Sequence, residues 1–206
     1  MKKFFCLLLF LPTTLLTAQK VVKKSFIDPS TSFIRVNAAN CFKVEIETGT
    51  TNEMLIEATI DGEYSKELLL TVNKDGATTA VSADFQPNFV RPNDKLSAHK
   101  VISIALKIRV PAQKDVYLHG TSCNVFASGN YRFLRVTLND GKCTLKNISE
   151  SANVMTQSGD IMVSSSGASI LASSKYGHVD SLSIPNGNTS LVLRTTTGNI
   201  HLKKTE

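Results

Sequence analysis

The sequence predicts an all-β protein: a parallel β-solenoid (β-helix) with coils of about 18 residues, preceded by a strand-rich N-terminal capping region. Three observations predict this fold class: the composition, a repeat in the second half and strand-like alternation in the first half. The 206 residues are 42% apolar but only 7% aromatic, with no Trp. Such a composition indicates a core built from Val, Ile and Leu, and the β-branched residues among them favour strands.

The chain begins with a segment typical of a secretory signal peptide, residues 1–18. Lys2 and Lys3 precede an apolar run over residues 4–11, and small residues end the segment at Ala18. That run is too short to span a bilayer, so we expect a mature chain without a transmembrane segment. The predicted location is the periplasm, the outer-membrane surface or the medium. Removing the two lysines lowers the formal net charge from +6 to +4, which is too weakly basic to predict nucleic-acid binding.

Residues 19–111 contain strand patterns throughout but no repeat. Val44 and Ile46 alternate with charged neighbours, and the run 102–110 alternates over its length until Pro111 ends it. A Lys74-Asp75-Gly76 segment between two further runs predicts a β-hairpin. We therefore expect an antiparallel β layer that leads into the solenoid and covers its first open edge.

The second half, residues 112–206, contains an internal repeat marked by glycine. The repeated glycines, spaced by 18, 18 and 21 residues, are Gly141, Gly159, Gly177 and Gly198. Each is followed two positions later by an apolar residue, and that column contains Val125, Cys143, Ile161, Val179 and Ile200. A parallel column contains Val116, Leu134, Ala152, Ile170 and Leu191. A period this regular predicts coils that stack on one another.

Each repeat is too short for a strand and a crossover helix, so we expect two or three short strands separated by corners. Equivalent columns then place successive coils side by side as parallel strands about 4.8 Å apart. The repeated glycines lie at structural corners just before a strand, where a sharp turn favours a residue without Cβ. The last repeat has three extra residues around Pro185-Asn186-Gly187, which predicts a turn that bulges from the coil.

Three cysteines remain after signal removal: Cys41, Cys123 and Cys143. An odd number cannot all pair within one chain, and the spacing offers no close pair for a metal ion. Buried structural thiols are the favoured interpretation. A Cys123–Cys143 disulfide stays an alternative, because these residues lie only two column places apart.

Two short units, S-G-D-I-x-V at 158–163 and T-G-N-I-x-L at 197–202, follow an exported lead-in that carries F-K-V-E-I-E-T-G at 42–49. Together they resemble the putative auto-transporter adhesin head domain family of Bacteroidetes, and the similarity covers most of the mature chain. The resemblance implies a right-handed parallel β-solenoid in an exported bacterial adhesin. It supplies no catalytic residues.

Outward positions of the coils place acidic and imidazole side chains together. Asp160 is expected to stack beside His178, and Asp180 beside His201, each pair about 4.8 Å apart along the ladder. Such a patch suits a divalent metal such as Zn²⁺, or an acid and base pair for glycan cleavage. The competing interpretation, a solvated face of alternating charge, is favoured because a flat sheet offers no cleft. We therefore assign no metal, no cofactor and no catalytic residue from the sequence.

Two functions fit these features. The first is an exported, non-catalytic adhesin or cell-envelope binding module that presents polar ladders to a polysaccharide or an envelope protein. The second is a carbohydrate-active enzyme, a glycan lyase or hydrolase, that uses carboxylates on the solenoid face. The few acids between residues 112 and 204 favour the first: Asp115, Asp140, Glu150, Asp160 and Asp180. The outward residues that form an apolar stripe for a partner or a sugar ring are Tyr117, Phe126, Leu171 and Val192.

Overall fold

The computed structural model describes residues 20–62, 65–90, 102–180 and 183–205, so the predicted signal peptide lies outside the described residues. These ranges form fourteen strands and a 3₁₀ turn, Ser65–Glu67. The strands are β1 (Lys20–Ile27), β2 (Phe33–Ala38), β3 (Lys43–Gly49), β4 (Glu53–Gly62), β5 (Leu68–Asp75), β6 (Thr78–Phe85), β7 (Ile102–Pro111), β8 (Asp115–Ser122), β9 (Asn124–Asp140), β10 (Cys143–Thr156), β11 (Ile161–Ser165), β12 (Ser169–Ser174), β13 (Ser190–Thr195) and β14 (Ile200–Lys204). The described ranges contain no helix that is long and apolar enough to cross a membrane.

All of these strands belong to one mixed sheet that curls into a nearly closed, barrel-like arrangement. The fold is all-β, but the predicted right-handed parallel β-solenoid with a separate capping region is wrong. Antiparallel pairs, β1–β4, β4–β7 and β5–β6, lie in the same sheet as parallel pairs such as β3–β9 and β2–β8. The N-terminal strands extend the sheet rather than cap it, because parallel pairing joins them directly to the repeat strands.

The sheet divides into two half-sheets that share the long strands β9 and β10. The first half-sheet runs in the order β1, β4, β7, β3, the start of β9, the start of β10, β11 and β14. The second runs in the order β5, β6, β2, β8, the end of β9, the end of β10, β13 and β12. Between the two halves, Gly129, Asn147 and Glu150 have positive φ angles of 113°, 48° and 64°. The ladder between β9 and β10 shifts register there, which lets each strand change partners.

A single apolar core is lined by alternating side chains from both half-sheets. Its most buried members include Ile34, Val44, Leu106, Val125 and Leu193, each without exposed surface or nearly so. Burial of one such side chain stabilises the fold by about 1.5–3 kcal/mol. Tyr131 is a fully buried aromatic residue in this aliphatic core, and its hydroxyl donates to the Ile46 carbonyl at 2.9 Å.

The parallel stacking predicted from the repeat columns is confirmed where the columns pair. Cys143 pairs with Val125 on one side and with Ile161 on the other, which is the 18-residue register. The repeats are not built from short strands alone, however, since β9 and β10 are continuous over 17 and 14 residues.

The last two repeats stack out of sequence order. Ile200 pairs with Ile161 on one side and with Val179 on the other, so β14 lies between β11 and residues 178–180. In the second half-sheet, β13 pairs with both β10 and β12. The C-terminal segment, residues 183–205, thus inserts between levels formed by earlier parts of the chain. This is a second departure from a solenoid, in which each coil contacts the next one in sequence.

Two local predictions in the first half are confirmed. β5 and β6 form an antiparallel hairpin, and Gly76 between them has a φ of +56°, as tight hairpin turns require. The run 102–110 is β7, which ends at Pro111. The expected antiparallel layer is wrong as stated, since β2 pairs in parallel with both β6 and β8. Alternation identifies a strand and its buried side, but it does not identify the strand's neighbour.

Candidate functional site

The acidic and imidazole patch lies on the outer side of the first half-sheet, and the structure brings only part of it together. Asp180 Oδ2 lies 3.3 Å from His201 Nδ1. Asp160 and His178 are not neighbours, because Asn199 occupies the level between them. Across the described ranges, no group of three or more His, Cys, Asp or Glu side chains is arranged to hold a metal ion.

Side chains at the corners next to this patch bond to the backbone of the adjacent level. Asp160 Oδ1 accepts a hydrogen bond from the Asn199 amide at 2.8 Å, and Asn199 Oδ1 accepts one from the His178 amide at 2.9 Å. Asn124 Oδ1 accepts the Lys142 amide at 3.0 Å in the same way. These bonds satisfy amide donors where the chain turns. Asp160 therefore stabilises a corner of the fold. The sequence suggested a metal ligand, a catalytic carboxylate or a solvated charge at this position, and not this structural role.

The corner glycines stack backbone against backbone in the order Gly141, Gly159, Gly198 and Gly177. A Cβ on Gly198 would lie 2.6 Å from the Gly159 carbonyl carbon, and one on Gly177 would lie 2.7 Å from the Gly198 carbonyl carbon. Cβ atoms essentially never approach other atoms to within 3.0 Å. The close approach of neighbouring levels thus requires glycine at these corners.

Inward hydroxyl groups close the same corners, and the sequence analysis missed them. Thr156 Oγ1 donates to the Gly159 carbonyl at 2.5 Å, and Ser174 Oγ donates to the Gly198 carbonyl at 2.8 Å. Thr195 Oγ1 accepts the Gly198 amide at 3.1 Å. A signal was present, since Ser or Thr stands three residues before each of the last three corner glycines. Hydroxyl side chains of this kind bond to nearby backbone in turns.

The three cysteines Cys41, Cys123 and Cys143 are free and buried, which confirms the favoured interpretation. Burial raises the pKa of each thiol to about 12. The thiols are therefore protonated at neutral pH, and they pack as part of the core.

A different candidate site lies on the outer side of the second half-sheet. We call it the arginine–aromatic surface, and it consists of Phe33, Arg35, Tyr117, Arg132, Phe133 and Arg135. The adjacent strands β2, β8 and β9 supply these residues. One cross-strand row contains Arg35, Tyr117, Arg135, Asn153, Val192 and Leu171. Side chains of one row project from the same side of a sheet, so this row forms a continuous outer strip.

Rings and guanidinium groups pack against one another on this surface. The Tyr117 and Phe133 ring centroids are 6.0 Å apart, with the ring planes tilted by 59°. The guanidinium carbon of Arg135 lies 5.8 Å from the Tyr117 centroid and 5.5 Å from the Phe133 centroid. Arg132 lies over Phe33 at 5.8 Å. These distances are within the range of cation–π attraction, which holds Arg132 and Arg135 against the rings.

The arginines differ in whether a carboxylate neutralises them. Arg132 donates to both carboxylate oxygens of Asp115, with Nε–Oδ1 2.7 Å and Nη2–Oδ2 2.8 Å. These hydrogen bonds raise the pKa of the Arg132 guanidinium above its ordinary value. Arg35 and Arg135 are exposed, and in the part of the chain that the structure describes neither forms an ion pair. The row through Tyr117 therefore carries two positive charges that are not cancelled.

On the first half-sheet, a depression of about 440 Å³ contains ion pairs. Lys23 pairs with Glu57 at 2.8 Å, and Arg109 pairs with Glu47 at 2.7 Å, all four residues lining that depression. A depression of about 370 Å³ on the second half-sheet is lined by Phe33, Ile34, Arg35, Thr78 and Tyr117, without an acidic residue. Lys24 and Lys107 also line the first depression, so positive charge exceeds negative charge in both, but of the two only the second combines it with aromatic rings.

Part of the second surface was predictable from the sequence. Tyr117, Val192 and Leu171, predicted as one apolar stripe, lie in one row, whereas Phe126 lies on the first half-sheet. Arg35 was missed because it lies far earlier in the chain and outside the repeat. Only the pairing of β2 with β8 brings it beside Tyr117, and no residue column predicts that pairing.

Comparison with known proteins gives structural neighbours only. No protein-family model matches the chain, and no curated protein matches it. A crystal structure described as a putative cell adhesion protein from Clostridium sporogenes ATCC 15579 is similar, with a TM-score of 0.67 and 15% identity over 91% of this chain and 100% of that chain. At this identity the likeness shows a shared fold.

Two further structures are described as putative adhesins. One, from Bacteroides fragilis NCTC 9343, has a TM-score of 0.44 and 13% identity over 90% of this chain and 98% of its own. The other, from Parabacteroides distasonis ATCC 8503, has a TM-score of 0.36 and 11% identity over 88% of this chain and 97% of its own.

Proposed function

We propose that this chain is an exported, non-catalytic adhesin-like binding protein, and that the arginine–aromatic surface holds a polysaccharide. The observation that carries the proposal is the row of Arg35, Tyr117 and Arg135 on the outer side of the second half-sheet. The structural neighbour described as a putative cell adhesion protein supports the general class. The signal-peptide pattern at residues 1–18 supports export.

An outer sheet surface with half-buried rings suits an extended sugar chain. The apolar faces of pyranose rings pack on aromatic side chains, while Arg and Tyr donors bond to sugar oxygens. Tyr117 and Phe133 supply two such rings on neighbouring strands. Several contacts along a row let a long polymer bind through many weak interactions at once, which raises the overall affinity.

The alternative, a carbohydrate-active enzyme, is disfavoured by the positions of the five acids in the repeats. Each accepts a hydrogen bond: Asp115 from Arg132, Asp140 from Ser158, Glu150 from Gln113, Asp160 from the Asn199 amide and Asp180 from the Leu202 amide. Glycan hydrolysis normally uses two carboxyl groups on either side of one scissile bond. These five acids are engaged in separate contacts, and they are distributed over three strands and two corners.

The proposal is tested by affinity electrophoresis through gels that contain single polysaccharides, with reducing ends assayed in parallel. We expect retention without reducing-end release. Tyr117→Ala should weaken retention about tenfold, which corresponds to about 1.4 kcal/mol. Phe126→Ala is the matched control, because Phe126 is an aromatic residue 42% exposed on the first half-sheet. Equal losses in the two variants, or release of reducing ends, would contradict the proposal.

A further inference from the structure

We infer that the polysaccharide is anionic, and that Arg35 and Arg135 bind its carboxylate or sulfate groups on either side of Tyr117. This inference rests on the proposed function and names the ligand class for the same surface. It depends on the uncancelled charge of the row, on its spacing and on the orientation of the guanidinium groups.

The charge of the surface favours an anion. Of the two acidic residues in the neighbouring row, Asp115 already forms a two-point pair with Arg132, and Asp75 lies on β5, two strands beyond Phe33. Within the described ranges, Arg35 and Arg135 form no such pair and face solvent. Arg194 extends the basic character to β13, one outer row away from Val192. A ligand that brings its own negative groups would therefore find partners that the protein leaves free.

The spacing of the row favours a polymer with repeated charges. β2 and β9 flank β8, so the backbones that carry Arg35 and Arg135 are separated by two strand spacings, about 9.6 Å. Tyr117 lies between them in the same row. This separation is close to the length of a disaccharide. A chain that lies across the strands could thus place one sugar beside Tyr117 and a charged group near each arginine.

Packing on the rings leaves the edge of the Arg135 guanidinium free. Its central carbon lies 5.8 Å and 5.5 Å from the Tyr117 and Phe133 centroids. A guanidinium held against rings keeps its N–H groups available for a planar, two-point bond to a carboxylate or sulfate. A lysine ammonium in the same place has no such planar pair of N–H donors, so the presence of arginine also favours these anions.

Asn153 extends the candidate site along the row. It is the neighbour of Arg135 on β10, and its Oδ1 atom is covered yet accepts no hydrogen bond within the described residues. Buried acceptors normally have a donor. Because this oxygen is covered, a sugar hydroxyl beside Arg135 can donate to it only after the Asn153 side chain rotates towards the ligand.

The test compares polymers that share a backbone but differ in charge: dextran sulfate with dextran, and polygalacturonate with its methyl-esterified form. Binding is measured by affinity electrophoresis and calorimetry at low and high salt. We expect retention on the charged member of each pair and weaker retention as salt rises. The charge variant is the double substitution Arg35→Gln and Arg135→Gln, which should weaken binding at least about tenfold, equivalent to about 1.4 kcal/mol.

A matched control is available on the first half-sheet. Lys146 and Lys203 flank Ser164 in one row, two strand spacings apart, with no aromatic residue between them. The double substitution Lys146→Gln and Lys203→Gln removes the same charge from the protein. We expect it to change binding less than about twofold, and equal losses in the two double variants would overturn the inference. Thermal unfolding of each variant verifies that the fold is intact.

The remaining outcomes separate the inference from the proposed function. Equal retention on charged and neutral polymers, still weakened by Tyr117→Ala, would overturn the anionic ligand and leave polysaccharide binding standing. No retention on any polymer would overturn both. Vesicles of phosphatidylglycerol form a further arm: binding there that requires the two arginines, without binding to charged polysaccharides, would overturn the inference in favour of a lipid surface.

Discussion

Gly159→Ala should destabilise the protein strongly, because the stacked corners leave no room for a side chain. A Cβ at this position would lie 2.7 Å from the Gly141 carbonyl carbon, and it would approach the carbonyl oxygen more closely still. The atoms that it meets are backbone atoms of the adjacent level. They cannot rotate away as a flexible side chain would, so the two levels must separate.

The size of the effect follows from overpacking. Forcing one extra carbon into a well-packed region destabilises a protein by about 1–3 kcal/mol. We expect about 3 kcal/mol for Gly159→Ala, because the neighbouring atoms belong to the backbone and cannot move aside. For a chain of this size, the thermal midpoint should then fall by about 6–12 °C.

Gly167→Ala is the matched control. A Cβ at Gly167 would make its nearest contact at 3.6 Å, an ordinary van der Waals distance, and its φ is outside the left-handed region. Alanine there should be neutral or should stabilise by about 0.4–1 kcal/mol through the unfolded state. Urea unfolding and calorimetry measure both variants. If they differ by less than about 0.5 kcal/mol, the argument from close approach is refuted.

Three further predictions concern the core and the row. Tyr131→Phe should lower the free energy of unfolding by about 1–3 kcal/mol, because the buried Ile46 carbonyl loses the hydrogen bond from the Tyr131 hydroxyl. Urea titration measures this free energy, and an unchanged value would contradict a stabilising role for the bond. All three thiols should resist Ellman's reagent at pH 8 until the chain unfolds, and rapid labelling of the folded protein would refute their burial. The free energy of unfolding should also fall as the pH rises from 9.0 towards about 12, because the thiols ionise at lower pH in the unfolded chain than in the folded one. Asn153→Val should raise the free energy of unfolding by about 1 kcal/mol, since it removes an acceptor without a donor, while it weakens retention on charged polysaccharide. If Asn153→Val stabilises the protein but retention on charged polysaccharide is unchanged, Asn153 does not contact the ligand.

The sequence predicts the pairing of the middle repeats because a period determines which residues stack. Val125, Cys143 and Ile161 share a column, and they pair as that column requires. The same columns cannot order the last two repeats. Val179 and Ile200 are equivalent apolar residues, so either could follow Ile161, and only the complete fold shows that Ile200 does.

The candidate site was predictable only where it lies within the repeat. Tyr117 and Leu171 alternate with buried neighbours, which identifies them as outward residues in strands. Arg35 also alternates with buried neighbours, but alternation does not say which strand lies beside it. Because β2 and β8 are far apart along the chain, the sequence does not show that Arg35 lies beside Tyr117.

The insertion of residues 183–205 determines when the sheet can be completed. β13 lies between β10 and β12, and β14 lies between β11 and residues 178–180, so residues 183–205 fill interior positions between segments that precede them in the chain. Until these residues are in place, the facing edges of β10, β11 and β12 lack their final partners. A chain truncated after residue 182 therefore loses an internal layer rather than its last one, and its open edges could pair with other chains. The stability of the repeats is thus tied to the presence of residues 183–205.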